Sequence, residues 1–363
     1  MTDMPRYDVA IAGGGIAGAS LAAALAPHAR VVVLEAEAMP GLHATGRSAA
    51  FWSETYGGPA IQPLTTASGA ALRDGGFLEP LGSLHIGRRE DEGAADAFLA
   101  EFVGSAVELV RIDPASRIPG LRPDWTIGVM EPSCAYIDVA ALHGHYLKVA
   151  RTGGATIVTD AGIRSGARQD GGWTIDTPAG CFAATVLVNA AGAWADEVAI
   201  RCGMRPIGIR PYRRTMVQLR TDPPAPSGLP HVADIAGRFY FKPEAGGRLW
   251  LSPHDEIPTD PCDAAPEEID VAVAIDRFER AVDWRVAAVE RRWAGLRSFA
   301  PDRLPVYGFA EPGFFWCAGQ GGFGIQTAPA AAAMAAALVL GQVPDVTGVD
   351  AERYMPGRFG RTR

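Results

Sequence analysis

Four short apolar runs lack the polar–apolar alternation that a half-exposed strand shows. They lie at residues 7–12, 30–35, 185–189 and 314–317, and the first three contain several β-branched side chains. Such runs are typical of strands that are buried on both faces of a sheet. The alanine-rich stretch 328–340 predicts a buried helix after the last run. The pattern predicts an α/β unit whose parallel strands come from distant parts of the chain.

The stretches between these runs alternate strand-like and helix-like segments and are rich in aromatic residues and proline. Residues 239–241 and 249–251 predict two antiparallel strands joined by a turn at the intervening glycines. We therefore predict a second, α+β unit with a mostly antiparallel sheet, formed by two insertions into the first. The predicted limits are 1–50, 136–205 and 300–345 for the α/β unit, 51–135 and 206–299 for the α+β unit, and 346–363 for a C-terminal tail.

Composition excludes several classes of protein. The chain has 363 residues, 48% of them hydrophobic and 20% charged, and a net charge of −8. These values are normal for a globular protein, and the negative charge disfavours nucleic-acid binding. No apolar run reaches the roughly 18 residues of a membrane span, so we expect no transmembrane segment. The five cysteines are scattered, which predicts a reducing, cytoplasmic setting and no metal site.

The turn after the first predicted strand carries three glycines in G-x-G-x-x-G spacing. Gly13 allows a tight turn, Gly15 lets a pyrophosphate approach the backbone, and Gly18 allows the following helix to pack on the strand. Glu35 lies 17 residues after Gly18, at the end of the next predicted strand, where it can accept hydrogen bonds from a ribose. This strand, glycine turn, helix and acidic strand end predict a Rossmann-type dinucleotide site.

Two further features favour FAD over NAD. A second glycine-rich loop, residues 319–324, follows the last predicted strand and leads into a helix, which supplies more backbone N–H groups beside the cofactor. A flavin needs such a second contact because its ring system lies far from the pyrophosphate. The small polar residues at 45–48 add donors near the same place.

Five motifs make the chain resemble the D-amino acid oxidase superfamily of flavoenzymes and, within it, bacterial FAD-dependent D-arginine dehydrogenase. They are IAGGGIAG at 11–18, HATGRSAA at 43–50, VNAAGAW at 188–194, WAGLRSF at 293–299 and QGGFGIQT at 320–327. The resemblance spans nearly the whole chain. It implies a Rossmann-type FAD-binding domain of the glutathione-reductase family (GR2-like), non-covalent FAD and a substrate-binding domain.

The resemblance also implies a set of site residues. Tyr56 is similar to a tyrosine on a mobile loop over the substrate, Arg214 and Arg297 to carboxylate-binding arginines, and Tyr240 to a phenol that supports the same carboxylate. The carbonyl of Gly322 would accept a hydrogen bond from the substrate amine. The implied cofactor contacts, with Gly162 at the adenine, are Gly13, Gly15, Ile16, Ala17, Gly18, Glu35, Thr45, Arg47, Ser48, Ala49, Gly162, Ala191, Gly192, Trp194, Gly321, Gly322, Phe323, Gly324, Ile325 and Gln326.

Two departures from the D-arginine dehydrogenase pattern change the expected substrate. Phe51 stands where that relative has an active-site histidine, and Leu84 stands where it has a glutamate that holds the distal guanidinium. A cationic side chain would have no counter-charge in such a pocket, which is costly. Phe51, Trp52 and Leu84 therefore predict an apolar substrate side chain, and His85 and His231 are further candidates for lining the pocket.

The predicted reaction is oxidative deamination of a neutral or hydrophobic D-amino acid. A hydride passes from the substrate Cα to flavin N5, and the imino acid hydrolyses to a 2-oxo acid. Oxidation of secondary, N-methyl or cyclic amino acids and L-2-hydroxy acid dehydrogenation stay open as alternatives. The electron acceptor is a quinone, another carrier or O2, and a quinone would place the enzyme at the membrane periphery. Lys148 and Lys242 are the only lysines, which favours a dehydrogenase because some oxidase relatives use a lysine beside the flavin.

Overall fold

The computed structural model describes residues 4–169 and 171–360. The strands are β1 (Arg6–Ala12), β2 (Val31–Leu34), β3 (Phe51–Trp52), β4 (Leu78–Pro80), β5 (Ser83–Arg88), β6 (Val110–Arg111), β7 (Trp125–Glu131), β8 (Ala135–Ile137), β9 (Thr156–Val158), β10 (Ser165–Gln169), β11 (Gly172–Thr177), β12 (Gly180–Asn189), β13 (Arg210–Asp222), β14 (His231–Asp234), β15 (Tyr240–Glu244), β16 (Arg248–Ser252), β17 (Ile257–Pro258), β18 (Arg285–Phe299), β19 (Val306–Glu311), β20 (Phe314–Ala318) and β21 (Gln320–Gly321). The helices are α1 (Ile16–Leu25), α2 (Gln62–Asp74), α3 (Glu92–Glu101), α4 (Val139–Thr152), α5 (Ala195–Arg201), α6 (Glu268–Glu279) and α7 (Ala328–Val339).

The first sheet has eight strands in the described residues and contains all four predicted apolar runs. Its central strands β20, β12, β1, β2 and β9 are parallel, whereas β10, β11 and β19 add antiparallel edges. All four side chains of β2 are buried, as expected for a parallel strand covered on both faces. The apolar helices α1 and α7 pack on one face and α5 covers the other. We refer to this as the cofactor sheet.

The second sheet has ten strands in the described residues, and it is mostly antiparallel as predicted. Its order is β21-β18-β13-β16-β15-β14-β5-β7-β6, with β17 paired to β13, and among the strands described here only the β14–β5 pair is parallel. Helix α6 packs on it through Phe278. We refer to this as the substrate sheet. A third, small sheet joins β3, β8 and β4.

The sheets cross the predicted domain limits at β8, whose residues Tyr136 and Ile137 pair with β3 and β4, and at β21. Strand β21 falls in the segment 300–345 predicted for the α/β unit, yet it pairs with β18 of the substrate sheet. The glycine-rich loop that contains β21 therefore links the two sheets. The domain limits as such stay a prediction.

Candidate active site

A cavity of about 440 Å³ lies where the cofactor sheet and the substrate sheet meet. One half is lined by the glycine loop after β1, the end of β2 and the turns after β2 and β12. The other half is lined by side chains from β13, β15 and β18, with residues 320–326 running between the halves. We call these the cofactor half and the substrate half.

The glycine loop in the cofactor half has a shape that only glycine permits. Gly13 has φ = +99°, and a Cβ there would lie 2.7 Å from the carbonyl oxygen of Ala190. The loop leads into α1, whose first turn has no acidic residue, and Gly15, Ile16 and Ala17 line the cavity. A helix N-terminus presented in this way suits an anionic pyrophosphate.

The carboxylate of Glu35 lines the same half and is held in place by backbone amides. Its oxygens accept hydrogen bonds from the N–H groups of Gly14 (2.7 Å) and Glu37 (2.9 Å). The hydroxyl of Thr45 accepts the N–H of Ile16 at 3.0 Å. A ring nitrogen of His143 lies 2.8 Å from the carbonyl oxygen of Gly14. The sequence analysis missed His143, because only the tertiary fold brings this residue of α4 next to the glycine loop.

Arg47 lines the cavity, but its guanidinium contacts the protein. It donates to the carbonyl oxygens of Ala264 (2.8 Å) and Ala294 (3.2 Å) and forms an ion pair with Asp263. The indole N–H of Trp293 donates to the carbonyl oxygen of Arg47 at 2.9 Å. Arg47 therefore connects the cofactor half to β18 and to the loop before α6.

Most of the implied cofactor contacts meet in this one cavity, and two do not. Gly18 lies behind the lining, where a Cβ would be 1.9 Å from the carbonyl oxygen of Gly13, so it serves the close packing of α1 on the loop. Phe323 also lies behind the lining, with its ring 5.1 Å from that of Tyr56 and 6.0 Å from that of Phe299. The remaining implied residues line the cavity: Gly13, Gly15, Ile16, Ala17, Glu35, Thr45, Arg47, Ser48, Ala49, Gly162, Ala191, Gly192, Trp194, Gly321, Gly322, Gly324, Ile325 and Gln326.

Two arginines from neighbouring strands enter the substrate half. Arg214 on β13 and Arg297 on β18 are both largely buried, with side chains 7% and 12% exposed. The adjacent Arg213 points to the opposite face of β13, where it pairs with Glu267 and Asp270. The two-residue period of a strand therefore selects Arg214 for the cavity.

Each of these arginines keeps a buried N–H without a hydrogen-bond partner in the described residues. Arg214 donates through Nε to the carbonyl oxygen of Asp255 (2.8 Å), whereas its Nη2 has no acceptor. Arg297 donates to the Tyr56 hydroxyl (2.9 Å) and to Glu256 (2.7 Å), whereas its Nε has no acceptor. Buried donors of this kind are costly, and a guanidinium group is well suited to bind a planar carboxylate.

Close contacts hold the rest of the clamp in shape. A Cβ on Gly322 would lie 2.4 Å from both Arg297 Nη2 and the Tyr56 hydroxyl, so only glycine leaves room for them. The hydroxyl of Tyr240 donates to the sulfur of Met216 at 3.1 Å. Burial raises the pKa of Tyr240, so its phenol stays neutral and can donate.

Glu256 balances the positive charge from outside the lining. Its carboxylate lies 2.8 Å from Arg303 and 2.7 Å from Arg297. Partial burial acts to raise the pKa of Glu256, but these two guanidiniums outweigh it and lower the pKa below its usual value. The sequence analysis missed Glu256, which gave no local signal.

Only one of the three predicted apolar residues forms the wall of the substrate half. Phe51 lines the cavity, with its ring 4.3 Å from that of His231. Trp52 points the other way and donates to the carbonyl oxygen of Thr65, and Leu84 is buried inside the substrate sheet. These two predictions were wrong because neighbouring strand residues face opposite sides, and because Leu84 lies in the middle of its sheet.

The two candidate histidines also lie outside the lining. His231 stands behind Phe51, with Nδ1 2.9 Å from the hydroxyl of Ser83, and His85 packs on the ring of Phe98. Burial lowers the pKa of both, to about 4 for His85. Met216, which the sequence analysis did not single out, lines the cavity two residues after Arg214 on the same strand face.

The fold and the cavity define a dinucleotide-dependent oxidoreductase with a Rossmann-type sheet and a separate substrate sheet. The chain belongs to the DAO family of FAD-dependent oxidoreductases, whose family model matches residues 8–338. FAD is therefore its cofactor, and the predicted family and fold class are confirmed. The finer resemblance to D-arginine dehydrogenase stays a prediction.

Known relatives of several activities share this architecture. Glycine oxidase from Geobacillus kaustophilus is 25% identical over 92% of this chain and 93% of its own, and its crystal structure superposes with a TM-score of 0.83 over 98% of this chain and 99% of that one. Rat dimethylglycine dehydrogenase is 29% identical over 68% of this chain, which matches only 30% of that larger protein. L-proline dehydrogenase from P. horikoshii, 22% identical, has a TM-score of 0.87 over 99% of both chains.

The cavity fits FAD at several points. The glycine loop and α1 would hold the pyrophosphate, Glu35 a ribose, and Gly162 the adenine end. These groups line one continuous cavity that also includes Arg214, Tyr240 and Arg297.

In the described residues, no helix is long and apolar enough to cross a membrane.

Proposed function

We propose that the protein oxidises a neutral α-amino acid of D configuration, whose carboxylate is held by Arg214 and Arg297. The two buried guanidinium N–H groups without acceptors carry this proposal. A carboxylate that accepts from Arg214 Nη2 and Arg297 Nε would complete both side chains. Tyr56, beside Arg297, and Tyr240, beside Arg214, add hydroxyl groups.

The lining of the substrate half supports a neutral side chain. In the described residues, Glu35 and Glu37 are the acidic residues of the cavity lining, and both lie in the cofactor half. Phe51 and Met216 form the wall near the clamp. A cationic substrate side chain would meet no carboxylate in the lining of that half, and the nearby Glu256 is already paired with Arg297 and Arg303, so the substrate would pay the desolvation cost of its charge.

The chain's own residues orient the substrate for the reaction. With the carboxylate fixed at two guanidiniums, rotation about one axis remains, and the carbonyl of Gly322 can accept from the amine and fix that rotation. The amine must lose its proton first, and no lining residue in the substrate half is a strong base, so the proton leaves to water. FAD, when bound in the cofactor half, would supply the acceptor for the hydride that leaves Cα. The imino acid then takes up water and yields a 2-oxo acid and ammonia.

Secondary or N-methylated amino acids are the second candidate class. The relatives favour it, because glycine oxidase and dimethylglycine dehydrogenase are named for small amino acids, one of them N-methylated. The same clamp would hold the carboxylate of such a substrate.

Anaerobic bleaching of the flavin by a substrate panel tests both proposals. We expect fast reduction by D-leucine, D-methionine or D-phenylalanine, and slow reduction by D-arginine and by the L-enantiomers. Faster reduction by sarcosine, dimethylglycine or proline would replace the first proposal with the second. Fast reduction by D-arginine would show that the neutral-pocket argument is wrong.

We further propose a dehydrogenase that passes electrons to a quinone or another carrier in the cytoplasm or at the membrane periphery. Lys242 supports this, because its ammonium nitrogen lies 3.6 Å from the ring centre of Tyr136 and 4.2 Å from that of Trp250, outside the cavity lining. Hydrogen peroxide formed at the rate of substrate oxidation in air would instead identify an oxidase.

A further inference from the structure

One buried carboxylate, outside the cavity lining, holds the segment that carries Tyr56. Glu131, at the end of β7, is fully buried and accepts hydrogen bonds from the hydroxyls of Ser53 (2.8 Å) and Thr55 (2.6 Å) and from the N–H of Glu54 (2.7 Å). It forms no ion pair within the described residues. All the hydrogen bonds seen at this carboxylate therefore come from the turn before Tyr56.

A second side chain holds the same segment from the cavity side. The amide oxygen of Gln326 accepts the N–H of Ser53 at 3.3 Å, and its amide nitrogen donates to the carbonyl oxygen of Tyr56 at 3.0 Å. That nitrogen also donates to the hydroxyl of Thr65 on α2, at 2.9 Å. The backbone from Ser53 to Tyr56 is thus fixed at both ends.

The Tyr56 side chain is itself held by contacts within the substrate half. Its hydroxyl accepts from Arg297 at 2.9 Å, and its ring lies 5.2 Å from Phe51 and 5.1 Å from Phe323. A lid would need to break these contacts and the anchors at Glu131 and Gln326 each time it opened.

We propose that Tyr56 is a fixed part of the wall of the substrate half, held by the buried turn 53–55, and that Glu131 is the residue that positions it. The proposal rests on the proposed function, because the positioned hydroxyl and Arg297 are taken to receive the substrate carboxylate. It departs from the mobile loop implied by the resemblance. Glu131 acts through the turn, since it lies outside the cavity lining.

Amide hydrogen exchange of the FAD-loaded enzyme tests the wall directly. The N–H groups of Ser53 and Glu54 each donate to an anchor, so slow exchange is expected at both. In Glu131→Gln an amide –NH2 faces hydrogen-bond donors, and exchange at Glu54 should rise by at least about tenfold. Thr55→Val, which removes a single donor and keeps the side-chain shape, should give a smaller rise at the same amide. Fast exchange at both positions in the unaltered enzyme would overturn the proposal.

Asp196→Asn is the matched control. Asp196 also anchors a loop with its carboxylate, by accepting the N–H groups of Ile207, Gly208 and Ile209. Exchange should rise at those three amides and stay unchanged at Ser53 and Glu54. An equal rise at residues 53–56 would show that the effect of Glu131→Gln is only general destabilisation, which contradicts a specific positioning role.

Kinetics separate positioning from mere stability. In Glu131→Gln we expect KM to rise by about tenfold while the limiting rate of flavin reduction stays within about twofold, since Tyr56 holds the carboxylate and does not take part in the hydride step. A fall in the limiting rate at unchanged KM would contradict the assigned role.

Rapid mixing with benzoate distinguishes a wall from a lid. Benzoate has the carboxylate for the clamp and an apolar ring for Phe51. A fixed wall gives an observed binding rate that increases linearly with benzoate concentration, whereas a closing lid gives a rate that saturates and would overturn the proposal. If benzoate does not bind at all, the proposed carboxylate clamp fails, and the amide exchange alone decides whether the wall is fixed.

Discussion

The two halves of the cavity differ in how their polar groups are satisfied. In the cofactor half, Glu35 and Thr45 accept hydrogen bonds from backbone amides of the glycine loop and its surroundings. In the substrate half, Arg214 and Arg297 each keep a buried donor without an acceptor in the described residues. In the cofactor half the Nδ1 atom of His43 also lacks a partner among the described residues, but the cationic donors without acceptors are those of the substrate half, which are held there at a cost in stability.

The sheets behind the two halves show a weaker form of this difference: among the described residues of the cofactor sheet, Trp316 has a buried nitrogen without a partner. Lys242, His231 and Trp250, all on strands of the substrate sheet, also carry buried nitrogens without hydrogen-bond partners in the described residues. Natural proteins concentrate such unsatisfied groups at functional sites. We therefore expect substitutions in the substrate half to separate stability from ligand binding more clearly than substitutions in the cofactor half.

The largest effect is expected at Lys242. Burial lowers its pKa from 10.5 to about 7, so the unfolded chain binds a proton there that the folded chain holds only weakly. This lysine therefore destabilises the fold fully below about pH 7, and the penalty fades as pH rises toward 10.5. Lys242→Met should raise the free energy of unfolding above that of the unaltered protein. This increase should be about 3 kcal/mol larger at about pH 7 than at about pH 9.5.

Urea unfolding at the two pH values measures this difference. Lys148→Met is the control, because Lys148 is exposed and should show no such pH-dependent gain. If the two variants respond to pH alike, Lys242 is solvated or paired in solution, and the comparison between the sheets loses its strongest example.

The next effect is the difference between Arg214 and its neighbour. Arg214→Gln should weaken carboxylate binding by about 100-fold, equivalent to about 3 kcal/mol, because it removes a buried charged donor from the clamp. Arg213→Gln should alter stability through Glu267 and Asp270 but leave carboxylate affinity within about threefold. Benzoate titration followed through the flavin spectrum gives both constants, and equal losses would refute the assignment of the two strand faces.

Gly322→Ala should affect affinity more than stability. The new Cβ would meet Arg297 Nη2 and the Tyr56 hydroxyl at 2.4 Å, and both are ends of side chains that can move. Moving them costs little folding free energy but opens the clamp, so we expect about 30-fold weaker benzoate binding, or about 2 kcal/mol. The melting temperature and flavin content should stay near those of the unaltered protein. Unchanged benzoate affinity would mean that the clamp does not depend on the position of these two groups.

The cofactor half could be predicted from the sequence because its parts are contiguous. The glycine turn, the start of α1 and Glu35 lie within one strand–helix–strand unit, and backbone geometry determines their positions. Arg47 is the exception. Its motif placed it correctly in the cavity lining, but its contacts with Ala264 and Ala294 come from distant strands and loops, which no local pattern specifies.

The substrate half was only partly predictable because its side chains come from strands far apart in sequence. Side chains alternate between the two faces of a strand. This alone places Trp52 on the face opposite Phe51, and Met216 on the same face as Arg214. Glu131 and Glu256 had no comparable signal, since their partners lie more than thirty residues away. Which buried carboxylate anchors which turn depends on tertiary packing.

The smallest effect is expected in the cofactor half, at Glu35. Glu35→Gln keeps the side-chain shape and can still accept the N–H of Gly14, but it loses the negative charge and places an –NH2 group near the N–H of Glu37. We expect about tenfold weaker FAD binding, or about 1.4 kcal/mol, with benzoate affinity of the FAD-loaded protein unchanged. FAD titration of the apoprotein by flavin fluorescence measures the first value. A loss of benzoate affinity in the FAD-loaded variant would show that the two halves are coupled, and that the backbone-satisfied half also sets the geometry of the clamp.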